Sequence, residues 1–282
     1  MSTAPAPGSE PDKWNIYGCR HGCMLLHNKT RKEIVLWDPL TGDRRVAAVP
    51  PEFDNEERVI WNGAVVCAAA GDPSHVHCGF GSCPFEVALV GVTRNHTQVF
   101  VCIYSSEIGT WSDLVAAATP FTVYCVSDPG TLVGNALFWF PVGLGYGILE
   151  FNLDRHSLDV IEWPSSIALS GSRSTLLAQH GGLGLAILSY HSLQMWERKV
   201  CSEGVTEWVL QKTHNLCKIH GRKSGSAAVL GYAEDANVML LWTIYGVYML
   251  QLDSLQSKKL WETYILYRHH PYASIYDSGI QG

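Results

Sequence analysis

The chain has 282 residues, of which 47% are hydrophobic, 11% aromatic and 16% charged, and its formal charge at pH 7 is -6. A chain of this length buries a large core, as two ordinary domains or as one large all-β domain. The low charged fraction and the 26 glycines favour short strands joined by tight turns over helical bundles. The negative charge and the lack of a clustered basic stripe argue against a nucleic-acid surface.

The amino-terminal residues 1–13 are rich in Ala, Pro, Ser and Gly, and we predict that they form a disordered tail. They contain no apolar segment of the kind that a signal peptide needs. The nine cysteines have no paired spacing, which favours a reducing compartment, so we expect a cytoplasmic or nuclear protein. The longest apolar run, residues 238–252, is too short to cross a bilayer and predicts two core strands.

A repeated unit occupies the rest of the chain: an apolar strand, a short polar turn that ends in Gly or Ser, and a second strand that often carries Trp. Its five copies have turns that close at Gly42, Gly109, Ser157, Gly204 and Ser257. Successive turns are therefore 67, 48, 47 and 53 residues apart. A period of roughly 40 to 50 residues is what four short strands and their turns require, which is one blade of a β-propeller.

The repeat predicts an all-β fold, a β-propeller of five to six four-stranded blades that spans residues 14–282 as one domain. One four-stranded sheet cannot bury both of its apolar faces alone, so blades stack around an axis and cover one another. Flat, large indole rings suit the wide space between blades. Trp residues recur with the repeat, at Trp111, Trp163, Trp208 and Trp261.

Further apolar runs between these hairpins predict the remaining strands of each blade. They are residues 63–69, 85–92, 122–126, 137–140, 183–188 and 227–232. The first interval is about 20 residues longer than the others, and we assign the excess to an inserted loop near residues 70–84. Inserted loops often carry recognition, so Gly71–Pro84 is the predicted partner-binding region, with candidate contact residues Asp72, His75, His77 and Phe80.

Two other patterns in the chain resemble ligand sites. His75, His77, Cys78 and Cys83 offer zinc ligands, but the spacing is wrong for paired knuckles, so a plain loop is the better interpretation and we predict no metal site. Residues 143–147, Gly-Leu-Gly-Tyr-Gly, suggest a phosphate loop, yet no Lys-Ser or Lys-Thr follows and the next residues form a strand. We predict a turn at the start of a strand, and no cofactor.

The carboxylates do not indicate an active site, and we predict no catalytic residues. Most of the prominent ones occur at hairpin turns, where Asp and Glu favour turn formation and solubility: Asp38, Glu107, Asp154, Glu203 and Asp253. Glu150 is the exception, because it lies inside a strand between Leu149 and Phe151, and alternation turns it away from those two neighbours. A propeller hydrolase of the glycosidase type would need a second carboxylate converging on the axis.

Several stretches of the chain, in order and spacing together, are similar to one known family. The sequence resembles the grass F-box proteins that carry an F-box-associated, kelch-like β-propeller. The resemblance rests on residues 18–22, 35–42, 104–112, 134–139, 148–151, 181–186, 193–198, 231–237, 251–254 and 271–274.

This resemblance implies the substrate-recognition part of a cullin-based ubiquitin ligase adaptor, a protein-binding domain without enzyme activity. In the family, a helical F-box docks on the ligase and the propeller holds a target protein. No such helical module is expected before Trp14, so we expect contact with the ligase only if an F-box is supplied. Three explanations of the missing F-box module are open: a shortened gene model, a decoy paralogue and an artificially shortened chain. Two alternative functions are also open, a propeller hydrolase and an inactive scaffold remnant.

Overall fold

The computed structural model describes residues 12–50, 52–53, 55–68, 83–126, 128–145, 147–163, 173–179, 181–189, 192–200, 206–215, 227–234 and 236–262. Within them every regular element is a β-strand. The described part of the chain therefore contains no helix long and apolar enough to span a membrane.

Five antiparallel sheets follow one another along the chain, each with its first strand innermost. The first sheet contains β1 (Trp14–Arg20), β2 (Cys23–Asn28), β3 (Glu33–Trp37) and β4 (Arg44–Ala48); the second contains β5 (Arg58–Cys67), β6 (Phe85–Thr93), β7 (Gln98–Ser105), β8 (Thr110–Trp111) and β9 (Val115–Ala118), the last two both pairing with β7.

The third sheet contains β11 (Thr131–Val133), β12 (Ala136–Trp139), β14 (Gly147–Asn152) and β15 (Ser157–Glu162), and a separate ribbon pairs β10 (Thr122–Val126) with β13 (Pro141–Leu144). The fourth contains β16 (Arg173–Gln179), β17 (Gly182–Leu188), β18 (Ser192–Val200) and β19 (Thr206–Asn215); the fifth contains β20 (Ala227–Ala233), β21 (Val238–Thr243), β22 (Gly246–Gln251) and β23 (Ser257–Trp261).

The five sheets are the blades of a β-propeller, and the predicted all-β propeller is confirmed with five blades in the described residues. Each predicted repeat corresponds to the hairpin between the third and the fourth strand of one blade. In the first of these turns, Asp38 Oδ1 accepts hydrogen bonds from the N–H groups of Leu40 (2.8 Å) and Thr41 (3.3 Å). Gly42 closes the turn at φ +78°, a conformation that favours glycine.

The long first interval of the repeat arises within the second blade. β5 and β6 have 10 and 9 residues, against 7 and 6 for β1 and β2. The connection between them, residues 68–84, is also long, and its two ends meet where the Ala68 N–H donates to the Pro84 carbonyl oxygen (3.0 Å). The predicted insertion is therefore the connection between the first and second strands of this blade, and longer strands add to the excess.

Four buried apolar clusters among the described residues hold the blades together, one between each successive pair. They lie between the first and second blades, the second and third, the third and fourth, and the fourth and fifth. As predicted, Trp111, Trp163 and Trp208 pack against such clusters. Trp261 differs, since it is 42% exposed on the outermost strand of the fifth blade, where none of the clusters of described residues reaches it.

One predicted blade strand has a different place. β10 pairs with β13 in a two-stranded ribbon and not with the third blade. A β-carbon at Gly143 would overlap the carbonyl oxygen of Thr122, and one at Gly147 would lie 2.5 Å from the Phe121 ring. Gly143 thus permits close pairing within the ribbon, and Gly147 permits close approach of the ribbon to the third blade, which explains these glycines without a phosphate.

Successive turns alternate between the two ends of each blade, so the turns that follow the first and third strands share one end. Among the described residues these turns include 21–22, 38–43, 106–109, 134–135, 153–156 and 252–256. We call this end of the propeller the hairpin face. The connection 68–84 follows the first strand of the second blade and so leaves the propeller on the hairpin face.

Candidate functional site

The predicted partner-binding residues Asp72, His75, His77 and Phe80 lie outside the described residues, and that assignment remains a prediction. The base of their loop is described. Phe85 at its end donates its N–H to Ser106 Oγ (2.8 Å) and accepts the Ser106 N–H on its carbonyl oxygen (2.9 Å). These bonds join the loop base to the third-strand turn of the same blade, so both belong to the hairpin face.

An aromatic cavity of about 50 Å³ lies beside the loop base, between the first and second blades. The Tyr104 ring lies 5.3 Å from the Trp111 ring and 6.5 Å from that of Phe85 (centroid distances). The Arg45 guanidinium lies 5.5 Å from the Phe85 centroid, within range of a cation–π contact. Trp111 also donates its indole N–H to the Ala48 carbonyl oxygen (2.9 Å), which fixes this ring across the two blades.

A polar network joins four of the five blades near the axis. Arg20, at the end of β1, donates to the carbonyl oxygens of Val65 (3.1 Å) and Gly130 (2.8 Å). Its Nη2 also lies 2.8 and 2.7 Å from the two carboxylate oxygens of Glu234, just after β20. Glu234 in turn accepts the Leu132 N–H (3.2 Å). Since the Arg20 and Glu234 side chains are only 8% and 18% exposed, this is a largely buried ion pair.

The hydrolase hypothesis would require a second acid at the axis, and Glu234 is the carboxylate that the structure places in this network. Its charge is matched by the Arg20 guanidinium, an arrangement typical of a structural ion pair. Among the described residues, no three His, Cys, Asp or Glu side chains converge as metal ligands. Cys83 is described, whereas His75, His77 and Cys78 are not.

Glu150 is turned away from its fully buried neighbours Leu149 and Phe151, as strand alternation predicted. Its side chain is 27% exposed and faces a groove between the third and fourth blades, with one carboxylate oxygen 3.8 Å from Arg198 Nη1. Burial raises the pKa of the Glu150 carboxyl, the Arg198 charge lowers it, and the neighbouring Asp159 carboxylate raises it.

The groove beside Glu150 has a volume of about 500 Å³ and begins at the turn 153–156, on the hairpin face. Both polar and apolar side chains line it. They are Glu150, Asn152, Arg155, Ser157, Asp159, Val160, Ile161, Glu162, Arg198, Thr206 and Trp208. Glu150 and Asp159 are direct partners in the β14–β15 register, so both carboxylates are on one side of the groove.

Glu150 stands out in the sequence as a candidate, whereas Arg20, Glu234 and Arg198 do not. All three lie in stretches that carry the family resemblance. Their pairing was invisible there, because Arg20 and Glu234 are 214 positions apart and no spacing rule connects residues on different blades. A charged residue between two apolar ones marked Glu150, but Arg198 lies between Glu197 and Lys199 and Glu234 lies beside Asp235, so this local signal does not single them out.

Comparison with known proteins gives one family match and several weak similarities to individual proteins. The weak ones include a 24% identity over 203 residues to the ABC transporter ATP-binding protein/permease PDR18 of Saccharomyces cerevisiae, 67% of this chain but 15% of that protein. Oligogalacturonate lyase in complex with manganese aligns with a TM-score of 0.48 at 9% identity, covering 84% of this chain and 61% of that one. The WD40 domain of SCAP from fission yeast aligns with a TM-score of 0.41 at 14% identity, covering 92% and 57%.

The extensive match is to a family model described as F-box protein AT5G49610-like, beta-propeller, and it covers residues 15–275. It extends from the second residue of β1 to beyond β23, and so includes all five blades. The chain belongs to the F-box protein AT5G49610-like β-propeller family.

Proposed function

We propose that this propeller is the substrate-recognition domain of a cullin-based ubiquitin ligase adaptor and that it binds a target protein on its hairpin face. The observation that carries the proposal is that this face combines the base of the long loop, the aromatic cavity and the mixed polar groove. Tyr, Trp and Arg side chains are enriched at the centres of protein–protein interfaces, and polar side chains form their rims.

We further propose that the protein is not an enzyme and acts in the cytoplasm or nucleus. The acid in the axial network is neutralised by Arg20, which favours a structural role for it over acid–base chemistry. The thiols of Cys19, Cys23 and Cys102 are free, which suits a reducing compartment.

The test is affinity capture with the full chain, alone and fused to a grafted F-box module, from cell extract under native conditions. We expect ligase subunits only with the graft, and the same target proteins with both forms. A third bait carries Trp111→Ala and Tyr104→Ala, which remove two rings of the hairpin face. Targets that bind the third bait as well as they bind the first would show that recognition does not use the hairpin-face rings. Targets that reach the ligase through the grafted protein but are never ubiquitinated would contradict the adaptor role.

As a matched control, Trp14→Ala removes an exposed Trp at the start of β1, on the opposite face of the propeller. Capture of targets should be unchanged by this substitution. A hydrolase would instead reveal itself by turnover of glycoside substrates that is lost in Glu150→Gln.

A further inference from the structure

The groove between the third and fourth blades contains two charged side chains that form no hydrogen bond with any described residue. Glu150 and Arg198 are 27% and 28% exposed, and their closest atoms are 3.8 Å apart, too far for a hydrogen bond. Within the described residues, neither group takes part in any other polar contact. Half-buried charges of this kind are costly unless a further group supplies their hydrogen bonds.

The charges around this pair are balanced at the hairpin-face end of the groove. Asp159 lies opposite Glu150 in the sheet, and Arg155 in the adjoining turn also lowers the pKa of Glu150. An anionic ligand would meet two carboxylates there, and a cationic ligand would meet two guanidinium groups. The charges thus favour an uncharged ligand that both donates and accepts hydrogen bonds, as an amide group does. Glu162 adds a third acid only at the far end of β15.

The rest of the groove lining includes one large apolar ring and parts of two outer strands. Trp208 lies opposite Arg198 in the β18–β19 register and packs against the buried cluster between the two blades. β15 and β19 are the outermost strands of their blades, so each pairs on one side only with described strands. The outer strand β15, the part of β19 that contains Thr206 and Trp208, and the Trp208 ring suit an extended peptide, which binds by main-chain hydrogen bonds and side-chain pockets.

We propose that this groove binds an uncharged, extended peptide segment of the target protein. An amide N–H of that segment donates to Glu150, an amide carbonyl accepts from Arg198, and an apolar side chain packs on Trp208. The proposal rests on the protein-binding function inferred above and names the ligand class of one part of the hairpin face. A volume of about 500 Å³ is in the range of sites that bind small ligands and short segments.

The experiment selects peptides from a displayed library of random 12-residue sequences against the full chain, and measures the affinity of the selected peptides by calorimetry. We expect selected peptides to be uncharged where they contact the groove. Their affinity should fall at least tenfold in Glu150→Ala, in Arg198→Ala and in Trp208→Ala. Glu150→Gln keeps an accepting oxygen and should restore most of the affinity.

Matched controls are Glu33→Ala and Arg44→Ala, which remove the same side-chain types from β3 and β4 of the first blade. They should leave peptide affinity unchanged, and thermal unfolding identifies any variant that fails to fold. Arg198→Lys, which keeps the charge but loses the planar donor fork, provides a second variant that preserves packing and should weaken binding.

Three outcomes would overturn the groove assignment: selected peptides that bind the three groove variants as tightly as the unsubstituted protein, a selected consensus with a charged residue at the groove-sensitive position, or no peptide enriched above background. A glycan array that binds in a Glu150-dependent manner, without peptide binding, would assign the groove to a sugar and also overturn the proposal. Since target capture by the whole propeller is measured separately, the protein-binding function would survive a failure of the groove.

Discussion

Two buried cysteines, Cys23 and Cys102, and the partly buried Cys19 show how the propeller core changes the acidity of single side chains. Burial raises the pKa of Cys19 to about 11, and burial together with the nearby Asp38 and Cys19 raises the pKa of Cys23 to about 12. Burial likewise raises the pKa of Cys102 well above the ordinary range. These thiols therefore remain protonated, and poor nucleophiles, at neutral pH.

The raised pKa values predict a loss of stability at alkaline pH. Unfolded thiols ionise near pH 8.5. The folded thiols keep their protons up to pH 11 or above, so between these limits the folded state binds more protons and its stability falls as pH rises. Thermal unfolding between pH 8 and 10.5 measures this, and Cys23→Ala should flatten the slope. A Cys23→Ala slope identical to that of the unsubstituted protein would contradict the prediction.

Asp38 is a turn residue whose side chain is only 1% exposed, and its carboxylate accepts two backbone N–H groups. Asp38→Ala should lower the free energy of unfolding by about 2 kcal/mol, because hydrogen bonds to a charged group are lost. Asp43→Ala, at an exposed position of the same turn, should cost less than about 0.5 kcal/mol. Chemical denaturation of both variants tests this, and equal losses would show that the Asp38 bonds are not the stabilising feature.

At the scale of the element, the connection 68–84 is separable from the blade that carries it. The β5–β6 ladder is complete up to the Cys67–Phe85 pair, and Ala68 and Pro84 close the base. Replacing residues 70–82 by a short Gly-Ser linker should therefore change the unfolding temperature by only a few degrees, because loop-closure entropy depends weakly on length.

The same replacement tests the predicted contacts of Asp72, His75, His77 and Phe80. Target affinity should fall in the loop-replaced protein while the fold persists, as measured by circular dichroism and binding to a captured target. Unchanged affinity would remove this loop from the recognition surface. Replacement of residues 253–256, in the β22–β23 turn of the fifth blade, is the control for replacing a turn on the same face.

At the scale of the whole molecule, the Arg20–Glu234 pair is the described contact that ties the first blade to the last. Apolar clusters of described residues join all successive blades, but none of them links the fifth blade to the first. The ion pair and its bonds to Val65 and Gly130 therefore hold together parts of the ring that are distant in sequence.

Breaking this pair should destabilise the ring far more than breaking a surface pair. Glu234→Ala leaves a buried guanidinium without its counterion and should cost about 3 kcal/mol of unfolding free energy. Arg31→Ala, which removes a pair with Asp12 in which Arg31 is 62% exposed, should cost less than about 1 kcal/mol.

Hydrogen exchange of the Glu234→Ala variant identifies which strands lose amide protection. In Glu234→Ala, amides of β1 and β20 should exchange faster, while those of β7, buried in the second blade, should keep their protection. Uniform acceleration across all blades would contradict a local role in closing the ring.

The propeller was predictable from the sequence because its signals are local. Turn chemistry at Asp38 and Gly42, alternation around Glu150 and the period of the third-strand hairpins are all properties of short segments, and each agrees with the structure. The placement of β10 in a ribbon was not predictable, since an apolar run of five residues does not specify which strand it pairs with.

The sequence by itself thus determined the fold class, the repeating hairpins and the position of the long loop. Only the tertiary structure decided that Arg20 meets Glu234 and that Glu150 meets Arg198 across a groove. The physical reason is that local backbone preferences are encoded within a few residues. Pairings between blades depend instead on how whole sheets stack, and side chains up to 214 positions apart become neighbours only when the ring forms.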